Sequence, residues 1–319
     1  MTDDLAIKVT NACHRIEDLY NESNGKCYVS FSGGKDSTVL LALIKMCIEV
    51  YTLPQEGIKA VYSETGLELG ATSKFVRWCK AEWYPNIEII RPKDNFDSVI
   101  KRYGKPLKSK QKSQYLNRYQ NGTRTYNTIR NLFGEDGCVI RSRISDHDMH
   151  FLSDDFDIKV SDKCCYVLKK QPMKRYEEEH DLKGRIIGIR MFEGGSRLVS
   201  TKSRLSRGGK ICTTFSGGRI SKYPLIDWTD EDVEEFIKRY NVPLSEAYTV
   251  QGYDRTGCFL CPYSLFIADN LKRLYEYEPN RYKASMHWLK DVYIAQDVRL
   301  PFDEAYERER ENGITNTNP

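Results

Sequence analysis

The 319-residue sequence has no apolar run near the about 20 residues that a membrane-spanning helix requires. Met1-Thr2-Asp3-Asp4 opens it without the basic and then apolar stretches of a secretory leader, so a cytoplasmic protein with no membrane partner is expected. Internal repeats and low-complexity linkers are also missing. That favours one elaborated domain with a substantial core over a string of modules. Histidine is scarce, with five in all: His147 and His150 flank Asp148 but have no third ligand at suitable spacing, and His14, His180 and His287 are isolated. Net charge is small at +4, so where the charges fall matters more than their sum. Cysteine is not scarce. Ten cysteines in such a chain read as reduced thiols and metal ligands rather than as a disulfide framework.

What is present is organised around Ser32-Gly33-Gly34-Lys35-Asp36-Ser37, set between the apolar runs Cys27 to Phe31 and Thr38 to Val50. A strand, a turn on two glycines and a helical pattern describe a loop that aims backbone N–H groups and a helix N-terminus at an anion. The glycines allow close backbone approach, Lys35 adds a mobile charge, and Ser32 and Ser37 can donate to phosphate oxygens. The spacing is not the Walker pattern, which needs four residues between its glycines. A plain glycine turn between a core strand and a core helix is the alternative.

Elsewhere, Leu5, Val9, Ala12, Ile16 and Leu19 fall at helical spacing over residues 4 to 23. Residues 58 to 63 read as a second strand, Ala71 to Trp83 as a helix, and Ile87 to Ile90 as a third strand. The rhythm breaks from about 95 to 183 and resumes with a fourth strand at Arg185 to Ile189. An Arg-rich loop over 190 to 222 follows, then a short strand at Tyr223 to Ile226 and a helix opened by the capping-box-like Thr229-Asp230-Glu231-Asp232. The expected fold is α/β: a doubly wound, mostly parallel Rossmann-like sheet over residues 1–262, with a basic insertion at about 95–183 and a helical C-terminal extension over 263–319. Ligands would sit beyond the carboxyl ends of the strands, where the glycine loop lies.

With these pieces in place, Ser32 to Ser37 resembles the Ser-Gly-Gly-x-Asp-Ser pyrophosphate loop of the adenosine nucleotide α-hydrolase superfamily. From about residue 26 to 262 the chain resembles the phosphoadenosine phosphosulfate (PAPS) reductase branch, which includes adenylyl sulfate reductases and DNA-phosphorothioation ATP pyrophosphatases. The resemblance implies an adenosine nucleotide, with Ser30, Ser32, Gly33, Gly34, Lys35, Asp36 and Ser37 around its phosphates. Ser63-Glu64-Thr65-Gly66 stands where the family has Asp-Thr-Gly and would line the adenine and ribose. Glu64 lengthens that arm, and a solvated loop carboxylate is the alternative for it. Gly188-Ile189-Arg190 with Glu193, Ser196 and Arg197 resembles the family's Gly-Ile-Arg-x-x-Glu-Ser-x-x-Arg, with Gly194 in place of serine. Arginine forks at Arg190 and Arg197 would clamp phosphate or sulfate. A solvated basic loop is the bland alternative. Lys202, Arg204 and Arg207 would extend the positive field.

Cys164-Cys165 and Cys258-Phe259-Leu260-Cys261 resemble the Cys-Cys and Cys-x-x-Cys pattern that holds a [4Fe-4S] cluster in adenylyl sulfate reductases. Zinc and buried structural thiols remain as alternatives, and Cys212 could replace one of the adjacent pair. Cys13, Cys27, Cys47 and Cys79 read as inert core residues, and Cys138 has no motif around it. Lys169-Lys170-Gln171-Pro172 resembles a family Leu-Lys-Lys-x-Pro segment near the cluster, or else forms a surface turn. From Lys101 to Arg143, eleven Lys or Arg face two acids and are interleaved with Tyr103, Tyr115, Tyr119 and Tyr126. That is a composition for gripping nucleic acid, or else a solvated helical face.

The family's reductases use a nucleophilic cysteine in a C-terminal tail, whereas no cysteine follows Cys261 here. Three functions are therefore carried forward. The first is an AMP-forming ATP pyrophosphatase coupled to sulfur transfer, with nucleic acid as a candidate acceptor, Lys35, Asp36, Arg190 and Arg197 at the reacting phosphates, Mg²⁺, and a sulfur donor protein. The second is an adenylyl sulfate or PAPS reductase that borrows a thiol from a partner such as thioredoxin. The third is a non-catalytic sensor of nucleotide or redox state.

Overall fold

The computed structural model describes residues 4–50, 52–140, 142–193 and 211–300. Helix α1 (Asp4–Glu22) buries Leu5, Ala12, Ile16 and Leu19, the stripe that its spacing predicts. Strand β1 (Cys27–Phe31) then runs into the glycine loop and α2 (Lys35–Glu49). Next come β2 (Ala60–Ser63), α3 (Gly70–Trp78) and, after a π-helical turn over Cys79–Trp83, β3 (Ile87–Ile90). The insertion carries α4 (Phe96–Tyr103), α5 (Lys110–Gln120), α6 (Tyr126–Phe133) and α7 (Gln171–Glu179). The sheet resumes with β4 (Gly184–Ile186), β5 (Thr213–Ser216) and β6 (Arg219–Lys222). The helices α8 (Asp230–Arg239), α9 (Glu246–Thr249), α10 (Ile267–Tyr277) and α11 (Pro279–Ala295) complete the described chain.

Strand order is β3-β2-β1-β4-β6-β5, parallel throughout except for β5 against β6. The chain winds outward from β1 to β3, then crosses to the other side at β4, so β1 and β4 flank the point where winding reverses. Loops leaving such neighbouring strands part and open a crevice. In β1, Cys27, Val29 and Phe31 join the core under α1 and α2, whereas Tyr28 turns to the opposite face with Val61 and Tyr176 of α7. Helix α2 is apolar nearly all round and is buried from Val39 to Ile44, the sandwiching that its sequence predicts. A second core joins Leu67, Leu69 and Phe96 to the insertion helices and to Leu271, Leu274, Leu289 and Val292 of α10 and α11.

Two strand expectations are corrected. The fourth strand ends at Ile186 rather than Ile189, because Gly188 packs against the Asp36 backbone, where a Cβ would lie 3.2 Å from its carbonyl. The strand expected at Tyr223 to Ile226 is a turn closed by Ile226 N–H to Tyr223 O at 3.2 Å. The pairing strand lies just before it, in a hairpin turned on Gly217 and Gly218, both at positive φ. Two elements start or stop short of expectation: β2 begins at Ala60, and α3 gives way to the π turn at Cys79. Thr229 and Asp232 do form a reciprocal capping box on α8.

Candidate active site

The glycine loop is tied together by its own hydroxyls. Ser37 Oγ donates to Gly34 O at 2.9 Å and accepts from Ser32 N–H at 3.2 Å, and the Ser32 and Ser37 hydroxyls lie 3.0 Å apart. Gly33 sits at φ +72°, and a Cβ there would come within 2.9 Å of Thr72 and 2.8 Å of Val76 on α3. Glycine is thus required both by conformation and by close approach. No side chain of the N-cap residue Gly34 caps α2. Instead Lys35 N–H donates 3.1 Å to the hydroxyl of Tyr248, which also lies 3.1 Å from Thr256 Oγ1.

Arg190 is 2% exposed, and its guanidinium bonds Asp36 Oδ1 at 2.8 Å and Asp230 Oδ1 at 2.6 Å. Expected on a phosphate, it joins the first turn of α2 to the first turn of α8 through two carboxylates, as a buried guanidinium demands. The guanidinium beside Asp230 holds that carboxyl below its ordinary range, with Lys35 and Arg255 adding positive potential. Gly194, Ser196, Arg197, Lys202, Arg204 and Arg207 lie outside the described residues.

Beyond the ends of β1 and β2 opens a cleft of about 150 Å³, lined by Ser30, Ser32, Ser63, Glu68, Thr72 and Lys169 among others. Two buried hydroxyls on its wall, Tyr62 Oη and Thr72 Oγ1, have no hydrogen-bond partner of good geometry among the described residues, with Ser73 lying beside the first. Unpaired buried hydroxyls are costly, and a polar ligand in the cleft would satisfy them. Glu64 does not face this cleft. It pairs with Arg77 and, at 2.7 Å, with Arg91, at the edge of a wider basic cleft of about 450 Å³ that Lys93 and Arg281 also line. The buried carboxylate of this loop is Glu68, which accepts from the Thr65 hydroxyl at 2.6 Å and from Gly66 N–H at 3.0 Å.

Cys164, Cys165, Cys258 and Cys261 line one cavity, whose remaining walls are Leu67, Phe96, Pro106, Leu168, Lys169, Leu260 and Pro262. Among the described residues, no three His, Cys, Asp or Glu side chains converge tightly enough to hold a single metal ion. The hydrogen bond between the two adjacent thiols raises Cys164 and lowers Cys165, and Lys169 also favours the Cys165 thiolate. Burial raises Cys258, and it pushes Cys261 up to about 12. Lys169 is raised in turn by the nearby Cys258 sulfur. The Cys-x-x-Cys segment is spliced to the exit of β2 by a Glu68–Cys258 bridge and by Phe259 N–H to Leu67 O at 2.8 Å. Cys212 lines none of this cavity; its neighbours are Thr213, Tyr223 and Arg15. Cys27, Cys47 and Cys79 are core residues, Cys13 packs at the core's edge, and Cys138 is exposed.

In the basic stretch, at least six of the ten cations among the described residues lie in ion pairs. Lys101, Arg102 and Lys105 meet Asp97, Asp94 and Asp291, while Lys108 and Lys112 share Asp148, and Arg130 meets Glu135. Tyr115 is buried, Tyr103 and Tyr119 are partly buried, and exposed Tyr126 bonds Glu135. Much of the expected field is thus spent within the fold.

Glu68, Asp230, Tyr248 and Thr256 did not stand out in the sequence as site residues. Asp230 shows only as part of the Thr229 cap and Thr256 only as a near neighbour of Cys258; Glu68 and Tyr248 arrive through tertiary contact.

Comparison with known proteins follows this geometry. An uncharacterized protein of Methanocaldococcus jannaschii is 27% identical over 255 residues, 79% of this chain and 39% of its own length. The chain therefore spans about two fifths of that relative. An adenosine 5'-phosphosulfate reductase of Oceanobacillus iheyensis is 33% identical over 106 residues, 31% of this chain and 37% of the relative. Among solved structures, the PAPS reductase of Candida auris in its phosphate complex aligns with TM-score 0.43 and 16% identity, covering 76% of this chain and 87% of its own. The model of the phosphoadenosine phosphosulfate reductase domain matches residues 26–142 and 139–264, three quarters of the sequence, and the chain belongs to that family.

Proposed function

We propose that this chain is an AMP-forming ATP pyrophosphatase that activates an acceptor for sulfur transfer, with a [4Fe-4S] cluster held beside the nucleotide. The observation that carries this reading is a shared wall. Lys169 lines both the cleft at Ser30, Ser32 and Ser63 and the cavity of the four cysteines. The donor chemistry suits both groups: the Tyr62 and Thr72 hydroxyls would bond a polar ligand in the cleft, and the four thiols, which do not close on a single ion, line an otherwise apolar cavity with one cation, as a multi-iron cluster would need.

In the reaction, an acceptor oxygen attacks the α-phosphorus of ATP. The bond to the bridging oxygen breaks, its electron pair leaves on pyrophosphate, and the acceptor carries AMP. Lys35 and the N–H groups at the start of α2 take up the charge that develops on the leaving group. Asp36 and Arg190 are assigned to holding that turn in place, and Arg197 to the phosphates. Mg²⁺ would bind chiefly through the substrate phosphates. A sulfur nucleophile from a donor protein then displaces AMP. A cluster held by Cys164, Cys165, Cys258 and Cys261 would supply electrons, and with one of the four cysteines off the cluster it would offer an open iron for sulfur.

Anaerobic protein assayed for iron, sulfide and AMP formation from ATP, with and without RNA or DNA, tests this proposal. Iron with sulfide, plus AMP formation abolished by Lys35→Ala, is expected. A colourless preparation with stoichiometric zinc sinks the cluster, and turnover untouched by Lys35→Ala sinks the pyrophosphatase. A second reading, sulfonucleotide reduction with a partner thiol, rests on the stretch similar to an adenosine 5'-phosphosulfate reductase. Sulfite release from adenylyl sulfate with thioredoxin would establish it.

A further inference from the structure

Helix α2 begins at a glycine, and its first N–H is bonded by a hydroxyl from far along the chain, 213 residues away. Tyr248 is firmly placed. It lies on α9, where Ser245 Oγ accepts from Ala247 N–H at 3.2 Å, Tyr248 N–H donates to Ser245 O at 2.9 Å, and Ala247 is fully buried. The chain then returns through Tyr253, whose N–H bonds Ala247 O at 2.9 Å, so that Thr256 meets Tyr248. Both hydroxyls press on the loop: a Cβ at Gly34 would lie 3.0 Å from Thr256 Oγ1 and 3.2 Å from Tyr248 Oη.

A helix N-terminus presents N–H donors and positive potential, which an anion satisfies best and a neutral oxygen satisfies adequately. Two acceptors can share one N–H only in a weaker three-centre bond, so a second acceptor competes with the first. We propose that the Tyr248 hydroxyl is an internal stand-in for a phosphate oxygen, occupying the Lys35 N–H of the pyrophosphate loop until the pyrophosphate moiety of a nucleotide displaces it. The proposal rests on Ser32–Ser37 being the pyrophosphate site. Because Tyr248 shares its bond with Thr256, two residues before Cys258, its departure loosens the segment that leads into the cysteine cavity.

The test is equilibrium binding of magnesium pyrophosphate and ATP to the full chain by calorimetry, alongside thermal denaturation. Tyr248→Phe keeps the ring and removes the hydroxyl, and with it the bonds to Lys35 and Thr256. Tyr248→Phe should bind pyrophosphate about threefold to tenfold more tightly, since one net hydrogen bond no longer competes. Its ligand-free melting temperature should fall below wild type, and the gap should close at saturating pyrophosphate, which a merely structural role would not produce. Thr256→Val should shift affinity in the same direction by less. Weaker binding by Tyr248→Phe would mean that the hydroxyl contacts the bound ligand, and unchanged binding would mean that it does not compete; either overturns the proposal. Failure of all three proteins to bind pyrophosphate or ATP removes the site reading and this proposal with it. Intact binding without AMP formation leaves the proposal standing and removes only the catalytic reading.

Discussion

Tyr62 and Thr72 carry the unpaired hydroxyls of the cleft proposed to take the nucleotide, and at the residue scale they separate binding from stability. Thr72→Val keeps the shape and removes a buried, unsatisfied group. The ligand-free protein should be as stable as wild type, or up to about 1 kcal/mol more stable, while ATP affinity falls; melting curves with and without ATP check both. Asp36 behaves differently. It neutralises an arginine only 2% exposed, so Asp36→Asn should destabilise the fold by about 2 kcal/mol and lower activity partly for that reason. Urea denaturation beside the activity assay would expose the mixture, and Lys35→Ala is the cleaner probe of phosphate chemistry.

At the scale of elements, Gly33 shows why the loop tolerates so little. Gly33→Ala would place a Cβ at positive φ against two side chains of α3, and it should cost more than about 1 kcal/mol, read as a lower urea midpoint with an unchanged slope. Asp148 provides a pH signature in the insertion. Burial opposes its charge, but hydrogen bonds from Lys108 and Ser145 and the charge of Lys112 overcome that and hold it down to about 2, against an ordinary value of 3.8. A depressed acid contributes stability above the unfolded value and loses it as pH falls through the folded one. About 2 kcal/mol should therefore vanish between roughly pH 4 and pH 2 in wild type, and Asp148→Asn should flatten that part of the stability profile. The same scale shows what the sequence could reveal. Helix α1, β1, the glycine loop, β3 and the Thr229 cap are set by local spacing and turn chemistry, and these were legible. The β5–β6 hairpin was not, because its residues are mostly polar, Phe215 is 77% exposed, and pairing with β4 rather than hydrophobic alternation makes it a strand. In the site, motif residues were legible one by one. That Arg190 would face carboxylates, or that Tyr248 would cap α2, depended on which helices pack together.

For the whole molecule, the two cores meet where chemistry is proposed: the sheet core ends at the glycine loop, and the helical core carries Cys164 and Cys258 at its edge. Iron and sulfide content should fall sharply in Cys258→Ser and Cys164→Ser and stay unchanged in Cys212→Ser and Cys138→Ser, measured on anaerobically purified protein. The short bridge between Glu68 and Cys258 has a consequence for how the molecule comes to exist. It pairs a residue from the loop after β2 with one made long afterwards, so its loop-closure entropy is met only when most of the fold is already in place. During synthesis the first β-α-β units can collapse while their cysteine partners are still unmade. The four cysteines are therefore all available only once residue 261 has been made, and a metal that needs the full set binds after the first β-α-β units exist.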